Sequence, residues 1–175
     1  MRIIAGRWGG RPIAAPPGER TRPTTDRVRE AWMSRLQHDI PGARVLDLFA
    51  GSGALGLEAL SRGADHVTFV ERAQSAVRAL QSNVRALDAA MQVEIVRGDA
   101  VKFASEAAAG SFDIALADPP YDTDAAQRLL AAFAAQPFAR LLCVEHRSGA
   151  PLSLPEGADA RRYGDTTITF IMAPS

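Results

Sequence analysis

The chain has 175 residues, is 47% apolar and 23% charged, and balances 20 basic against 20 acidic groups, enough for one packed domain and too little for two of ordinary size. No run nears the roughly 18 apolar residues of a membrane-spanning helix, and the start, MRIIAGRWGG, lacks the apolar core of a secretion signal, so a cytoplasmic protein without a membrane partner is expected. The single cysteine, Cys143, excludes an intramolecular disulfide and sits in an apolar run as a small core residue.

The zero net charge is unevenly spread. Residues 1–30 hold seven arginines against three acids, a net of +4, which leaves −4 on the other 145 residues. A cationic arm on a mildly acidic body is a candidate polyanion contact, with a solvated tail as the plain alternative. Segments 2–5 and 11–15 flank Trp8-Gly9-Gly10, which fits an exposed hairpin over residues 1–23, followed by a domain over 24–175. Beyond Pro23, Thr24 or Thr25 can cap a helix in which Val28, Trp32 and Leu36 recur every four residues, and Pro41-Gly42 stops it.

From residue 44 the pattern alternates. Strands are expected at 44–49, 66–71, 93–97, 112–117, 140–145 and 166–172, and helices at 54–62, 73–87 and 124–135. In the second of these helices Val77, Leu80, Val84 and Leu87 form an apolar packing stripe. Residues 162–165 read as a loop. Such βαβ order implies an α/β fold, a parallel sheet covered by helices on both faces. A monomer is expected, because no apolar stripe is left over once the core helices are assigned. His38, His66 and His146 share no metal-ligand spacing with each other or with Cys143, so no metal site is suggested.

Ligands of open parallel sheets bind beyond the carboxyl ends of the strands. Four successive strands end in acids there: Asp47 ahead of Gly51 and Gly53, Glu71, Asp99, and Asp118 in the stretch ADPPYD. Gly51, Gly53 and Gly56 satisfy a dinucleotide-binding spacing, with Glu71 twenty residues after Gly51. A carboxylate at position 47 would repel a pyrophosphate, however, and suits a cationic ligand instead. S-adenosylmethionine fits the set: Asp47 can meet its amino-acid end, Glu71 can accept its ribose hydroxyls, and Asp99 can accept from the adenine amine. In Asp118-Pro119-Pro120-Tyr121 the aromatic ring can stack on a nucleobase. The carboxylate and the adjoining Pro119 carbonyl can accept both hydrogens of an exocyclic amine, and the prolines stiffen that acceptor pair.

Asp47-Leu48-Phe49-Ala50-Gly51-Ser52-Gly53 together with Asp118-Pro119-Pro120-Tyr121 resembles the class I S-adenosylmethionine-dependent methyltransferases of exocyclic amines. The narrower resemblance is to the RsmD family, which methylates guanine N2 in bacterial small-subunit ribosomal RNA. It rests on residues 1–6 (MRIIAG), 22–30 (RPTTDRVRE), 51–59 (GSGALGLEA) and 163–166 (YGDT). It implies a Rossmann-like sheet of seven strands with the last antiparallel, a short N-terminal β-hairpin, and transfer to one guanosine in a partly assembled small subunit. It also implies cofactor roles for Asp47, Phe49, Ala50, Gly51, Ser52, Gly53, Glu71, Arg72, Asp99, Ala100 and Asp118. A target-base role follows for Asp118, Pro119, Pro120 and Tyr121, and RNA contacts for Arg7, Arg11, Arg22 and Arg27. Arg72 departs from relatives that carry an acid or asparagine there.

Two rival readings stand beside this one. An adenine-N6 methyltransferase of DNA uses the same D/N-P-P-Y chemistry, though no separate recognition module is evident. A non-catalytic RNA-binding or ribosome-assembly module would need the arm and the sheet but not the acceptors of the 118–121 loop.

Overall fold

The structure is a computed structural model that describes residues 1–17 and 26–175. The Thr24/Thr25 cap, Arg22 and the expected boundary between residues 23 and 24 lie outside the described residues. Seven strands, β1 (Arg44–Leu48), β2 (His66–Glu71), β3 (Val93–Arg97), β4 (Phe112–Ala117), β5 (Ala139–Arg147), β6 (Asp159–Tyr163) and β7 (Thr166–Met172), form one sheet in the order β3-β2-β1-β4-β5-β7-β6. The first five are parallel, and β7 runs antiparallel to both β5 and β6. The register pairs Leu48 with Val70 and with Ala117, so the carboxyl ends of β2, β1 and β4 lie side by side.

Helices cover both faces, as the alternating pattern implies. On one face α1 (Asp26–Arg35), α2 (Ala54–Ser61) and α3 (Gln74–Ala86) enclose a core that includes Trp32, Leu57, Phe69 and Leu80. On the other, α4 (Ala100–Glu106) and α5 (Ala125–Ala135) pack Leu46, Leu48, Leu129 and Phe133 together. Cys143 is a buried free thiol whose burial pushes its pKa up. Two elements depart from the expected pattern. The α4 helix has only seven residues and no apolar period of its own, and Asp99 caps it by accepting the Lys102 N–H at 2.8 Å. The β6 strand, DARRY, is a mostly exposed edge strand, where apolar alternation is not required.

Most of the N-terminal arm, residues 1–17, is exposed, as expected, but its apolar side chains are anchored in the core. Its backbone doubles back, with Gly10 N donating to Ile3 O and Ile13 N donating to Met1 O, but it forms a single bridge, Arg2 to Pro12, rather than two strands. Ile3, Trp8 and Ile13 are buried in the core shared with α1, α2 and α3. What holds the arm is a set of buried polar side chains. Glu58, with 0% exposure, accepts the N–H groups of Ile4 and Ala5 at 2.9 and 3.0 Å and Arg62 Nε at 3.0 Å, and Arg29 Nε lies 3.7 Å away. A carboxylate has about four acceptor sites; Glu58 accepts three hydrogen bonds, and the Arg29 guanidinium adds an ion pair at 3.7 Å. Ser61 accepts from Trp8 N and donates to Ala5 O, while Asn83 exchanges two hydrogen bonds with Ala14. Gly6 completes the fit: at φ +81° a Cβ there would come within 2.0 Å of the Ser61 carbonyl oxygen.

Removing the Glu58 charge leaves the buried Arg29 guanidinium with only the exposed Asp26 carboxylate, at 3.2 Å, a change that costs about 3 kcal/mol in comparable buried pairs. Glu58→Gln is expected to lose about that much stability in urea denaturation. Glu30→Gln, which touches Arg62 at 2.8 Å from a half-exposed position, should lose less than about 1 kcal/mol.

Candidate active site

The carboxyl ends of β1, β2, β3 and β4 open onto one cleft of about 870 Å³. Its first wall is the turn from β1 into α2. Phe49 has φ 59°, unusual for a residue with a side chain, and Gly51 and Gly53 have φ 57° and 87°. Ala50 N donates to Val70 O at 3.1 Å and Gly53 N to Ala50 O at 2.8 Å, which folds the turn back onto β2. A Cβ on Gly53 would fall 2.4 Å from Leu80 Cδ1. Gly53 is therefore required for packing and does not line the cleft, whereas Phe49, Ala50, Gly51 and Ser52 do.

Asp47 lies beneath this turn, with 1% exposure, and accepts the Gly56 N–H at 2.9 Å. Gly56 thus does more than satisfy a spacing: its amide holds Asp47, and a Cβ there would sit 2.9 Å from the same carboxylate oxygen. Glu71, at the end of β2, accepts Gly51 N and Ala73 N at 2.8 Å each. Each of its oxygens keeps acceptor capacity for a ligand hydroxyl while fixing the glycine turn. Asp99 divides its duties between capping α4 and lining the cleft beside Ala100 and Arg72.

The fourth strand end is the 118–121 loop. Asp118, Pro119, Pro120 and Tyr121 all line the same cleft. The Tyr121 hydroxyl lies 2.7 Å from Thr166 Oγ1 and 3.4 Å from Glu145 Oε1, which fixes the ring from the far side of the sheet. Thr123 Oγ1 donates to Pro120 O at 2.9 Å and closes the loop. Neither Glu145 nor Thr166 was singled out for the site by sequence pattern. Thr166 lies in the YGDT stretch that carries part of the family resemblance, which was the available signal.

Burial, and then the like charges of Asp118 and Glu71, push the Asp47 carboxyl well above the ordinary carboxylate range, against the Gly56 N–H that favours its ionised form. A positive group placed among these acids relieves that repulsion, and acceptors for hydroxyls and an amine surround the position. The donor and acceptor set therefore fits S-adenosylmethionine and disfavours a pyrophosphate. Among the described residues, no group of three or more His, Cys, Asp or Glu is arranged to hold a metal ion, and no helix is long and apolar enough to cross a membrane.

Arg7 and Arg11 do not line this cleft. Arg7 donates to Gln92 Oε1 at 2.5 Å and lies over the Trp8 ring, and Arg11 donates to Ala86 O at 2.6 Å. Gln92 immediately precedes β3 and Ala86 ends α3, so both guanidinium groups stand at the opposite end of the sheet, about 17 Å away for a five-residue strand. Arg27 is exposed on α1. Among the described residues, the arginines at the cleft are Arg29, Arg72, Arg128 and Arg147.

A family model described as "Conserved hypothetical protein 95" matches residues 1–172. Two curated relatives are both named ribosomal RNA small subunit methyltransferase D. That of Haemophilus influenzae is 35% identical over 161 residues, covering 89% of this chain and 83% of the relative. That of Escherichia coli is 41% identical over 121 residues, covering 69% and 60%. A solved Thermus thermophilus structure, described as a 16S rRNA N2 methyltransferase (RsmC) in complex with AdoMet and guanosine, is similar with a TM-score of 0.70 at 25% identity, covering 90% of this chain and 46% of that one.

The raised pKa of Asp47 has a definite sign. Its folded value exceeds its unfolded one, so Asp47 stabilises the fold at low pH, and that contribution is lost as pH rises through the folded value. A cationic ligand favours the ionised form, so affinity should rise with pH between the bound and free pKa values, with proton release on binding. Asp47→Asn is expected to raise the melting temperature of the ligand-free protein at neutral pH. It should also weaken S-adenosylmethionine binding at least about tenfold, or about 1.4 kcal/mol, and flatten its pH dependence, as read by calorimetry in buffers of differing ionisation enthalpy.

Proposed function

The chain belongs to the family described as conserved hypothetical protein 95, whose relatives include the ribosomal RNA small subunit methyltransferases D, and from that premise we propose that it transfers a methyl group from S-adenosylmethionine to the exocyclic N2 amine of a guanosine in small-subunit ribosomal RNA. The observation that carries this reading is that the Asp118–Tyr121 loop opens into the same cleft as Asp47, Glu71 and Asp99. An amine acceptor and a cationic-cofactor site thereby share one cavity. The guanosine-bound 16S rRNA N2 methyltransferase with a similar fold supports the choice of amine. The relatives' names support small-subunit ribosomal RNA over duplex DNA as the substrate class, and a partly assembled particle is the form proposed.

When bound, S-adenosylmethionine supplies an activated methyl whose transfer leaves a neutral thioether and frees one proton from the amine. The remaining work falls to the chain. The exocyclic amine of guanine is a poor nucleophile, because its lone pair is delocalised into the ring. The Asp118 carboxylate and the Pro119 carbonyl accept its two hydrogens, which draws the nitrogen out of conjugation and orients the lone pair. Asp118 also stabilises the positive charge that develops on the nitrogen. Tyr121 stacks on the base, so a paired guanosine must first leave its helix. Glu71 and Asp99 hold the ribose and adenine ends of the cofactor, and Asp47 meets its amino-acid end.

Unmodified small-subunit RNA, free and in assembled particles, incubated with labelled S-adenosylmethionine should yield label in N2-methylguanosine on nucleoside analysis. Label in N6-methyladenine of a DNA control instead would replace the substrate and keep the cofactor. Asp118→Ala should keep cofactor affinity within a few-fold and lose at least about a hundredfold in turnover, the scale of a positioned acceptor. Full turnover in that variant would end the role given to Asp118.

A further inference from the structure

Beside the Tyr121 ring lies a cation that the site described so far does not use. The Arg147 guanidinium carbon is 5.6 Å from the ring centroid, at the mouth of the cleft. Its charge is met by Asp122, one residue beyond the loop, at 3.4 Å, with side-chain exposures of 61% for Arg147 and 92% for Asp122. So exposed an ion pair contributes little to stability, and exchanging its partner costs little. The main chain of Arg147 is fixed: it ends β5 and pairs in register with Thr166 of β7, the residue whose hydroxyl meets that of Tyr121. One residue therefore sets both the target-base ring and the base of the Arg147 side chain.

We infer that Arg147 is a substrate-positioning residue: when the target base comes onto Tyr121, its guanidinium exchanges Asp122 for a backbone phosphate beside that nucleotide. The inference rests on the RNA reading above and adds to it a contact at the cleft mouth, about one sheet height from the arm arginines. The chemistry suits the exchange. A planar guanidinium matches phosphate oxygens two at a time and is weakly hydrated, so it gives up a solvent-exposed carboxylate readily. A flipped nucleotide carries its flanking phosphates to the rim of the cavity that receives the base, and Arg147 stands at that rim. Asp122 acts in the opposite sense, holding Arg147 while the site is free and repelling the incoming phosphate.

The test is binding of the full-length protein to unmodified small-subunit RNA across about 50 to 200 mM salt, the range over which phosphate contacts are read out. It is measured alongside steady-state turnover and S-adenosylmethionine affinity. Arg147→Ala is expected to reduce the log–log salt slope by about one and to raise the KM for RNA about tenfold. Cofactor affinity should stay within about twofold, and kcat should fall less than KM rises. Asp122→Asn should move RNA affinity the other way, which a loss of local structure would not do. An unchanged salt slope in Arg147→Ala, or weaker RNA binding in Asp122→Asn, would overturn the inference. If the wild-type protein transfers no methyl group to RNA, the proposed function fails on that account, while the salt slopes still decide whether Arg147 meets phosphate.

Discussion

The architecture turns on a carboxylate that solvent does not reach. Glu58 sits on the helix that follows the glycine turn and gathers two backbone amides of the N-terminal arm and two arginines. Removing a charged group from water is expensive, and here three hydrogen bonds and an ion pair with Arg29 offset the cost. The consequence is mechanical. The arm cannot leave without stranding Glu58, and α2 cannot shift without stranding the arm. Asn83 extends the same lock to the ligand site, since its amide donates both to Ala14 O in the arm and to Ser52 O in the glycine turn. The arm is part of the wall behind the cofactor turn.

The acids at the strand ends pull the other way. Asp47 is buried among like charges, which is unfavourable for the protein alone and favourable once a positive ligand group arrives. Local rules are commonly broken at functional sites, and here the breach has a direction: the charge chosen excludes phosphate-bearing cofactors and admits a sulfonium amino acid. Phe49, held at positive φ at the same turn, is a second departure from local preference within one residue of the site-lining glycine turn.

Much of the cleft was legible in the sequence because strand ends in a parallel sheet are also the ligand-facing positions, so reading Asp47, Glu71, Asp99 and Asp118 as strand termini placed them around one cavity. The apolar runs 66–71, 93–97, 112–117 and 166–172 match their strands residue for residue. What was not legible shares a cause. Arg7 and Arg11 were read as RNA contacts from resemblance and charge, and neither says which end of the sheet a residue occupies; their partners, Gln92 and the Ala86 carbonyl, are 85 and 75 residues away in the chain. The anchoring of the mostly exposed arm was not legible, because three isolated apolar residues, Ile3, Trp8 and Ile13, make no periodic pattern. Glu58 carried no signal as a buried residue, since a glutamate in a helix normally reads as solvated surface. Gly53 was counted among ligand contacts on motif grounds, and its packing against Leu80 could be seen only in three dimensions.

The late stretch Tyr163-Gly164-Asp165-Thr166 shows how a motif far from the chemistry can still be part of it. It forms the tight turn between β6 and β7, and β7 runs antiparallel beside β5. That reversal brings Thr166 to the carboxyl end of β5, level with Arg147 and within reach of the Tyr121 hydroxyl; a parallel seventh strand would bring its other end there. A two-point hold on Tyr121, through its stiff diproline backbone and through its hydroxyl, leaves the ring little freedom to lose, so under the proposed function more of the energy of stacking on a base would remain for drawing that base from its helix. The antiparallel last strand is in this sense a requirement of the site.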